Sequence, residues 1–261
     1  MRNYNLAGKY ALITGGTHGI GLAIAKELSY HGCNIAFCSR SETNLESTKK
    51  YFDGKNVKYL SFKADVLSDD DCNNVMHGID SEWGRLDILI NNVGGGGRWG
   101  KENIEDTDYI VWKEVYQKNA NAAILFTRKA IPLMRKNKWG RIINITSILG
   151  KEGGGRPWFN MAKAAEVAMM KTLSLTKYLV RDGITFNSVA PGGIYIPGAG
   201  FETELKENPE KFNKMLDEDY PLGRMGKPEE VAYVVSFLCS ELSSLVNGSQ
   251  IVVDGGQTKS Y

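Results

Sequence analysis

The stretch "YALITGGTHGIGLAIAKELSY", residues 10–30, decides the fold. A short apolar run leads into three spaced glycines, and apolar residues then recur at three- and four-residue spacing. That order reads as a buried strand, a tight turn and an amphipathic helix. Gly15, Gly19 and Gly21 allow a sharp bend, close backbone approach to a phosphate, and close packing of helix on strand. The turn from Thr17 through His18, Gly19 and Ile20 to Gly21 would aim free N–H groups and the positive helix end at an anion. A strand before the glycines and a helix after them supply the context that a nucleotide-binding motif requires.

Outward from this unit the pattern repeats. Short apolar runs at 34–38, 57–64, 86–91, 141–146, 184–190 and 250–253 read as further buried strands. Between them, 69–83, 111–136, 160–180 and 228–240 carry helical periodicity. Sustained alternation of this kind implies a parallel sheet, because each return to a parallel neighbour needs a crossover. The expectation is one α/β domain over 1–261, a single-domain Rossmann-like, doubly wound parallel sheet flanked by helices. No linker or internal repeat divides the chain. The long irregular stretch at 191–227 reads as a substrate lid, with short exposed helices expected between 202 and 219.

Composition limits the partners. The 42% hydrophobic and 24% charged residues suffice to build and cover a large core. A net charge of +2, from 32 basic and 30 acidic residues well mixed along the chain, gives no footprint for nucleic acid or an anionic membrane. The N-terminus has no signal-peptide pattern and no apolar run approaches the length of a membrane span, so a cytoplasmic location is expected. Cys33, Cys38, Cys72 and Cys239 have no metal-ligand or CxxC spacing and read as reduced core thiols. No metal site is expected.

The spacing TGxxxGxG at residues 14–21 resembles that of the classical short-chain dehydrogenase/reductase family. Further stretches agree in order: "NNVG" at 91–94, Asn119, Ser147, Lys163, "APG" at 190–192, "PLGRMGKPEEVA" at 221–232 and "NGSQIVVDGG" at 247–256. The likeness covers about residues 6–256, and its motif order is shared with family members that reduce β-ketoacyl groups on a carrier protein. It implies a nicotinamide cofactor, a small-molecule substrate, and a homo-oligomer, a tetramer or dimer, packed through the helices at 111–136 and 160–180.

The end of the second strand, "AFCSR", bears on the cofactor. A ribose with free hydroxyls wants a carboxylate, whereas a 2′-phosphate wants a guanidinium. Ser39 and Arg40 stand there and no acid does, so NADP(H) is favoured over NAD(H), with His18 a second donor. By the resemblance, Asp65 and Val66 would meet the adenine. Asn91, Asn92 and Gly94 would pack against the adenosine, and Lys163, Pro191, Gly192 and Ile194 would hold the nicotinamide end. The family often has threonine where Ile196 stands, so by the resemblance its amide contact would fall to backbone groups such as those of Ile194.

In the family a serine and a tyrosine hold the substrate oxygen, the tyrosine passes a proton, a lysine lowers its pKa, and an asparagine holds a relayed water. Ser147, Lys163 and Asn119 match three of these positions. The proton donor should stand four residues before the lysine, and that residue is Phe159. A phenyl ring keeps the shape and lacks the exchangeable proton. Three readings stay open. Phe159 replaces a parental tyrosine; or it is native and another group donates, Tyr195 or a water on Lys163; or the chain is a catalytically silent cofactor sensor or scaffold. For the substrate, Arg98 and Trp99 in "GGGGRWG" and Arg156 and Trp158 in "RPWFNMAK" would suit an acidic group beside apolar or ring surface.

Overall fold

The computed structural model describes residues 4–101 and 103–260; residues 1–3, 102 and 261 of the expected 1–261 span lie outside the described residues. Seven parallel strands form one sheet: β1 Tyr10–Thr14, β2 Asn34–Ser39, β3 Tyr59–Lys63, β4 Ile88–Asn91, β5 Gly140–Ile145, β6 Ile184–Pro191 and β7 Gln250–Val253. Their spatial order is β3-β2-β1-β4-β5-β6-β7. The chain therefore builds outward from β1 in one direction, then returns to its other side. The crevice beyond the carboxyl ends of β1 and β4 lies at this reversal, where open α/β sheets bind ligands.

The helices are α1 Gly19–Tyr30, α2 Glu42–Phe52, α3 Asp69–Trp83, α4 Tyr109–Tyr116, α5 Ala122–Lys136, α6 Pro157–Ser174, α7 Lys177–Val180, α8 Gly200–Glu207, α9 Pro209–Asp219 and α10 Pro228–Cys239. They cover both faces of the sheet. Alternation along β1 shows why: Ala11 and Ile13 join a cluster with Ile24 and Leu28 of α1 and Val231 and Val235 of α10. Leu12 points the other way, to Val75 and Ile79 of α3 and Phe126 and Leu133 of α5. Strands buried on both faces need continuous apolar sequence, which β1, β2 and β4 have. Each such leucine or isoleucine contributes roughly 1.5–3 kcal/mol by burial.

Local chemistry sets the helix ends. The Ser68 hydroxyl accepts from the Asp71 N–H at the start of α3, three aspartates fill the first turn, and Gly84 closes the helix at φ 63°. The expected helix at 111–136 is interrupted by a π turn at Gln117–Asn121 between α4 and α5. The expected helix at 160–180 begins earlier, at Pro157, and breaks after Ser174. Helix α2 was not legible from periodicity, since it buries only Leu45, Thr48 and Phe52.

The 191–227 stretch holds α8 and α9, close to where short helices were expected. Neither belongs to the main core. Phe212, Tyr220 and Met225 form a separate small cluster with Tyr195, Phe201, Leu205 and Leu216. All four cysteines are free and buried. Among the described residues, no helix is long and apolar enough to cross a membrane, and no group of metal-ligating side chains gathers.

Candidate active site

The glycine turn forms as its composition requires. Gly15 and Gly19 have φ of 65° and 52°, the left-handed region that other residues rarely adopt. A Cβ on Gly21 would lie 2.3 Å from the Gly15 carbonyl oxygen, so only glycine lets the helix start this close to the strand. The Thr14 hydroxyl accepts from the Asn92 and Val93 N–H groups, and the Asn92 amide donates to the Thr14 and Gly15 carbonyls. β1 and β4 are thereby tied together where the crevice opens.

Two cavities lie along that crevice. The first, about 360 Å³, is lined by Gly15, His18, Ser39, Arg40, Asp65, Val66, Asn92 and Gly94. All of these were expected at the cofactor. Arg40 lies 3.6 Å from the Asp65 carboxylate, with both side chains substantially solvated. Asp65 also accepts from the Leu67 N–H at 3.1 Å. The second cavity, about 440 Å³, is lined by Gly19, Ile20, Ser147, Phe159, Lys163, Pro191, Gly192, Ile194 and Phe201. His18, Asn92 and Gly94 line both, so the two are one continuous groove. Thr17 is buried beneath the turn. Asn91, expected beside Asn92, instead points into the interior, where its amide donates to Thr127 and Asn144.

Ser147 follows β5 and caps a short 3-10 turn, its hydroxyl oxygen accepting from the Leu149 N–H at 3.2 Å. That bond fixes the oxygen and leaves the hydroxyl proton free to donate into the cavity. Lys163 is buried on α6. Its ammonium donates to the Ile145 carbonyl at 3.0 Å and to both carboxylate oxygens of Glu166 at 3.1 Å. It lies 5.9 Å from the centre of the Phe159 ring.

Asn119 sits on the π turn and is buried. Its amide donates to the Gly95 and Val115 carbonyls, and its oxygen accepts from the Gly95 N–H. Both amide protons are used, so the side chain clamps the glycine loop, and a relayed water would meet oxygen rather than N–H here. Ile194 forms a parallel bridge with Gly226 through its neighbours, Gly193 accepting and Tyr195 donating. That pairing turns Ile194's own N–H and C=O away from Gly226. Ile196 packs instead on the turn, where a Cβ at Gly19 would lie 3.0 Å from its Cδ1.

The residues expected around the substrate are dispersed. Trp158 is fully buried, stacked edge-on to Trp112 at 5.2 Å, with its indole N–H donated to the Gly96 carbonyl. It supports the glycine loop from beneath and has no surface for a substrate. Trp99 lines the first cavity, beneath the Lys118 ammonium at 4.8 Å, and not the second. Tyr195 packs in the α8–α9 cluster and does not line the second cavity. Arg156 precedes α6 and does not line it either. Arg98 does not line it directly; its guanidinium lies 4.2 Å over the ring of Phe201, which does, and 2.8 Å from Glu204.

Two residues escaped the sequence reading. Lys118 is a half-buried cation in the first cavity, its pKa lowered by burial and by Arg40. Its place just before Asn119 was the available signal. Glu166 is a buried acid whose pKa is raised by burial against the opposing pull of Lys163. An acid three residues after Lys163, on the same helix face, was the available signal.

Known proteins share this architecture. A family model described as enoyl-(acyl carrier protein) reductase matches residues 15–258. A 3-oxoacyl-(acyl-carrier-protein) reductase of Aquifex aeolicus is 35% identical over 96% of this chain and 98% of its own. A cyclohexanol dehydrogenase of Rhodococcus sp. is 35% identical, with 99% of each chain covered. The crystal structure of an L-sorbose reductase from Gluconobacter frateurii, complexed with NADPH and L-sorbose, superposes with a TM-score of 0.91 at 30% identity over the whole of both chains. Sheet order, glycine turn and whole-length similarity agree, and the chain belongs to the classical short-chain dehydrogenase/reductase family, whose members are NAD(P)-dependent oxidoreductases.

Proposed function

We propose that this chain is an NADP(H)-dependent oxidoreductase acting on a carbonyl group, or on its alcohol in reverse, in a substrate that carries an acidic group. The observation that carries the reading is convergence: Ser147, Phe159 and Lys163 line one cavity with the glycine turn and with Pro191, Gly192 and Ile194. The groove fits a dinucleotide, since a Cβ on Gly94 would lie 2.7 Å from Asn119 Oδ1 and 2.9 Å from Lys163 Nζ, closing the passage between the two cavities. Arg40, Ser39 and His18 would hold a 2′-phosphate, Asp65 and Val66 the adenine, Lys163 the nicotinamide ribose and the Ile194 backbone its amide. When bound, the nicotinamide gives or takes the hydride.

The chain's own residues do the rest. Ser147, oriented by its cap bond, donates to the substrate oxygen. Asn119 keeps the glycine loop at the depth that leaves the groove open. Phe159 supplies a ring wall and no proton, so Ser147 and Lys163 are the side-chain donors left beside the reacting oxygen. General acid assistance is typically worth about a hundred- to ten-thousandfold, and its loss here leaves binding intact while slowing turnover. Arg98 would exchange Glu204 for a substrate carboxylate, with α8 and α9 acting as the lid. The relatives act on groups as different as a carrier-bound oxoacyl chain, cyclohexanol and L-sorbose, so the acidic substrate rests on Arg98 alone. Exposed Tyr109 and Ile110 on α4 and Met161 on α6 suit a homo-oligomer joined through these helices.

A silent cofactor-binding protein is the second reading, and Phe159 is the observation that favours it. The test measures NADPH oxidation over a panel of ketones and acidic keto compounds, on this chain and on Phe159→Tyr side by side. A rise of about a hundredfold or more in the tyrosine form is expected. Binding of NADPH by both forms with no turnover in either would favour the silent reading. Faster turnover by the phenylalanine form would reveal a different proton donor.

A further inference from the structure

The ammonium of Lys163 has an unusual companion. Glu166 lies one helical turn on, is 2% exposed, and places both carboxylate oxygens 3.1 Å from Lys163 Nζ. Lys163 is the only hydrogen-bond or ion-pair partner found for that carboxylate among the described residues. A buried carboxylate with one partner adds little net stability, because desolvation of both ions offsets their attraction. Its effect falls on the partner.

We propose that Glu166 is a positioning residue for Lys163, holding its buried ammonium so that one N–H is aimed into the cofactor groove. An ammonium has three N–H directions. The Ile145 carbonyl occupies one and Glu166 a second, and the cavity lies on the remaining side, where Lys163 lines the wall beside Gly94. Burial in general disfavours the charged form of an amine, and a hydrogen-bonded carboxylate beside it favours that form. The pairing also matches Phe159. With no phenol to acidify, Lys163 is needed as a hydrogen-bond donor, and a neighbouring carboxylate that cancels its net charge removes nothing the site uses.

Among the described residues, no ionisable group other than Lys163 acts on Glu166. Burial and Lys163 are the only influences resolved on Glu166. The facing groups on neighbouring elements are uncharged: the Ile145 carbonyl on β5, Asn119 on the π turn, and the Gly94 backbone.

This inference rests on the reading of the groove as an NAD(P)H site, and the experiment separates the two. Dissociation constants for NADPH are measured by fluorescence titration across neutral to alkaline pH for the unsubstituted chain, Glu166→Gln and Glu166→Asp, with melting temperatures alongside. The unsubstituted chain should bind with little change over that range. Glu166→Gln should bind about tenfold or more weakly than the unsubstituted chain, with the deficit widening toward the alkaline end. Glu166→Asp, which keeps the charge on an arm too short to hold both oxygens against Lys163 Nζ, should fall measurably between the two, weaker and steeper than the unsubstituted chain and closer to it than Glu166→Gln. If Glu166→Gln does not fold, Glu166→Asp decides: weaker binding with a steeper pH profile than the unsubstituted chain supports the assignment, and an unaltered profile overturns it. A lowered melting temperature with unchanged binding at every pH would show a merely structural acid and overturn the proposal. Failure of the unsubstituted chain to bind NADPH or NADH would overturn the reading of the groove, and this inference with it.

Discussion

Replacing Arg40 by alanine tests the cofactor assignment most directly. The guanidinium is largely solvated and pairs with Asp65 at 3.6 Å, a long contact between exposed groups that is worth under about 1 kcal/mol. A 2′-phosphate arriving there competes with a weak partner and brings more charge and more acceptor oxygens. Charge-assisted bonds of this kind contribute about 1.5–3 kcal/mol each. Exposure places this one at the lower end, or roughly a 10- to 30-fold change in affinity. Arg40→Ala should therefore raise the dissociation constant for NADPH by that factor and leave that for NADH within about threefold. The assay is fluorescence titration of both cofactors. Repeating it between about 0.05 M and about 0.5 M salt should shrink the preference of the unsubstituted chain as screening shortens the reach of the charge. Equal weakening for both cofactors would mean that Arg40 shapes the adenosine wall and reads no phosphate. No change for either would move the phosphate to His18 or Lys118, and the reasoning from the end of β2 would fail.

The other predictions concern the groove, the lid and its anchor. Gly94→Ala introduces a Cβ against Asn119 and Lys163, so it should cost about 1–3 kcal/mol in denaturant unfolding and weaken cofactor binding at least tenfold; unaltered binding would show that the loop yields easily. Arg98→Ala should raise KM for acidic keto substrates about tenfold in the Phe159→Tyr background while sparing uncharged ketones. Since the Arg98–Glu204 pair is half exposed at both ends, stability should change by less than about 1 kcal/mol. Glu230 anchors the far end of the 191–227 segment, and hydrogen bonds from the Arg224 side chain and the Lys227 N–H hold its carboxyl down at about 2, against an ordinary 4.5. A depressed pKa stabilises the fold above the ordinary value and loses that contribution as pH falls from about 4.5 to about 2. Glu230→Gln should thus be about 0.5–1 kcal/mol less stable than the parent at neutral pH, discounted for exposure, and the gap should close toward pH 2 in urea titrations.

How far the sequence carries this structure depends on what each residue must satisfy. The strands were legible because a parallel strand is buried on both faces and must be apolar throughout. The glycine turn was legible because residues 15 and 19 need a backbone conformation that few other residues adopt, and because residue 21 has no room for a Cβ. The wall of the first cavity followed, since fixed strand ends place Ser39, Arg40, Asp65 and Asn92 on one crevice. Side chains on loops had no such constraint. Trp158, at the start of α6, and Trp99, on the glycine loop, each follow an arginine in their own short stretch, yet one is sealed under that loop and the other faces the first cavity. Composition cannot separate two indoles that differ only in which way the backbone turns. The π turn at Gln117–Asn121 shows the same limit inside a helix: the apolar period from 111 to 136 is nearly that of a continuous helix, and the bulge shows only in hydrogen bonds. Those bonds matter here, because the turn carries Asn119 to Gly95 and Lys118 to Trp99, one clamping the glycine loop and the other charging the first cavity. Glu166 was hidden for a different reason. On the helical pattern an acid at 166 reads as a solvated face, and only its burial against Lys163 turns it into part of the site. A buried charge is therefore the feature of this chain that sequence pattern is least able to reveal, and its partner Lys163 stands one helical turn from the one residue, Phe159, whose chemistry the pattern flags as missing.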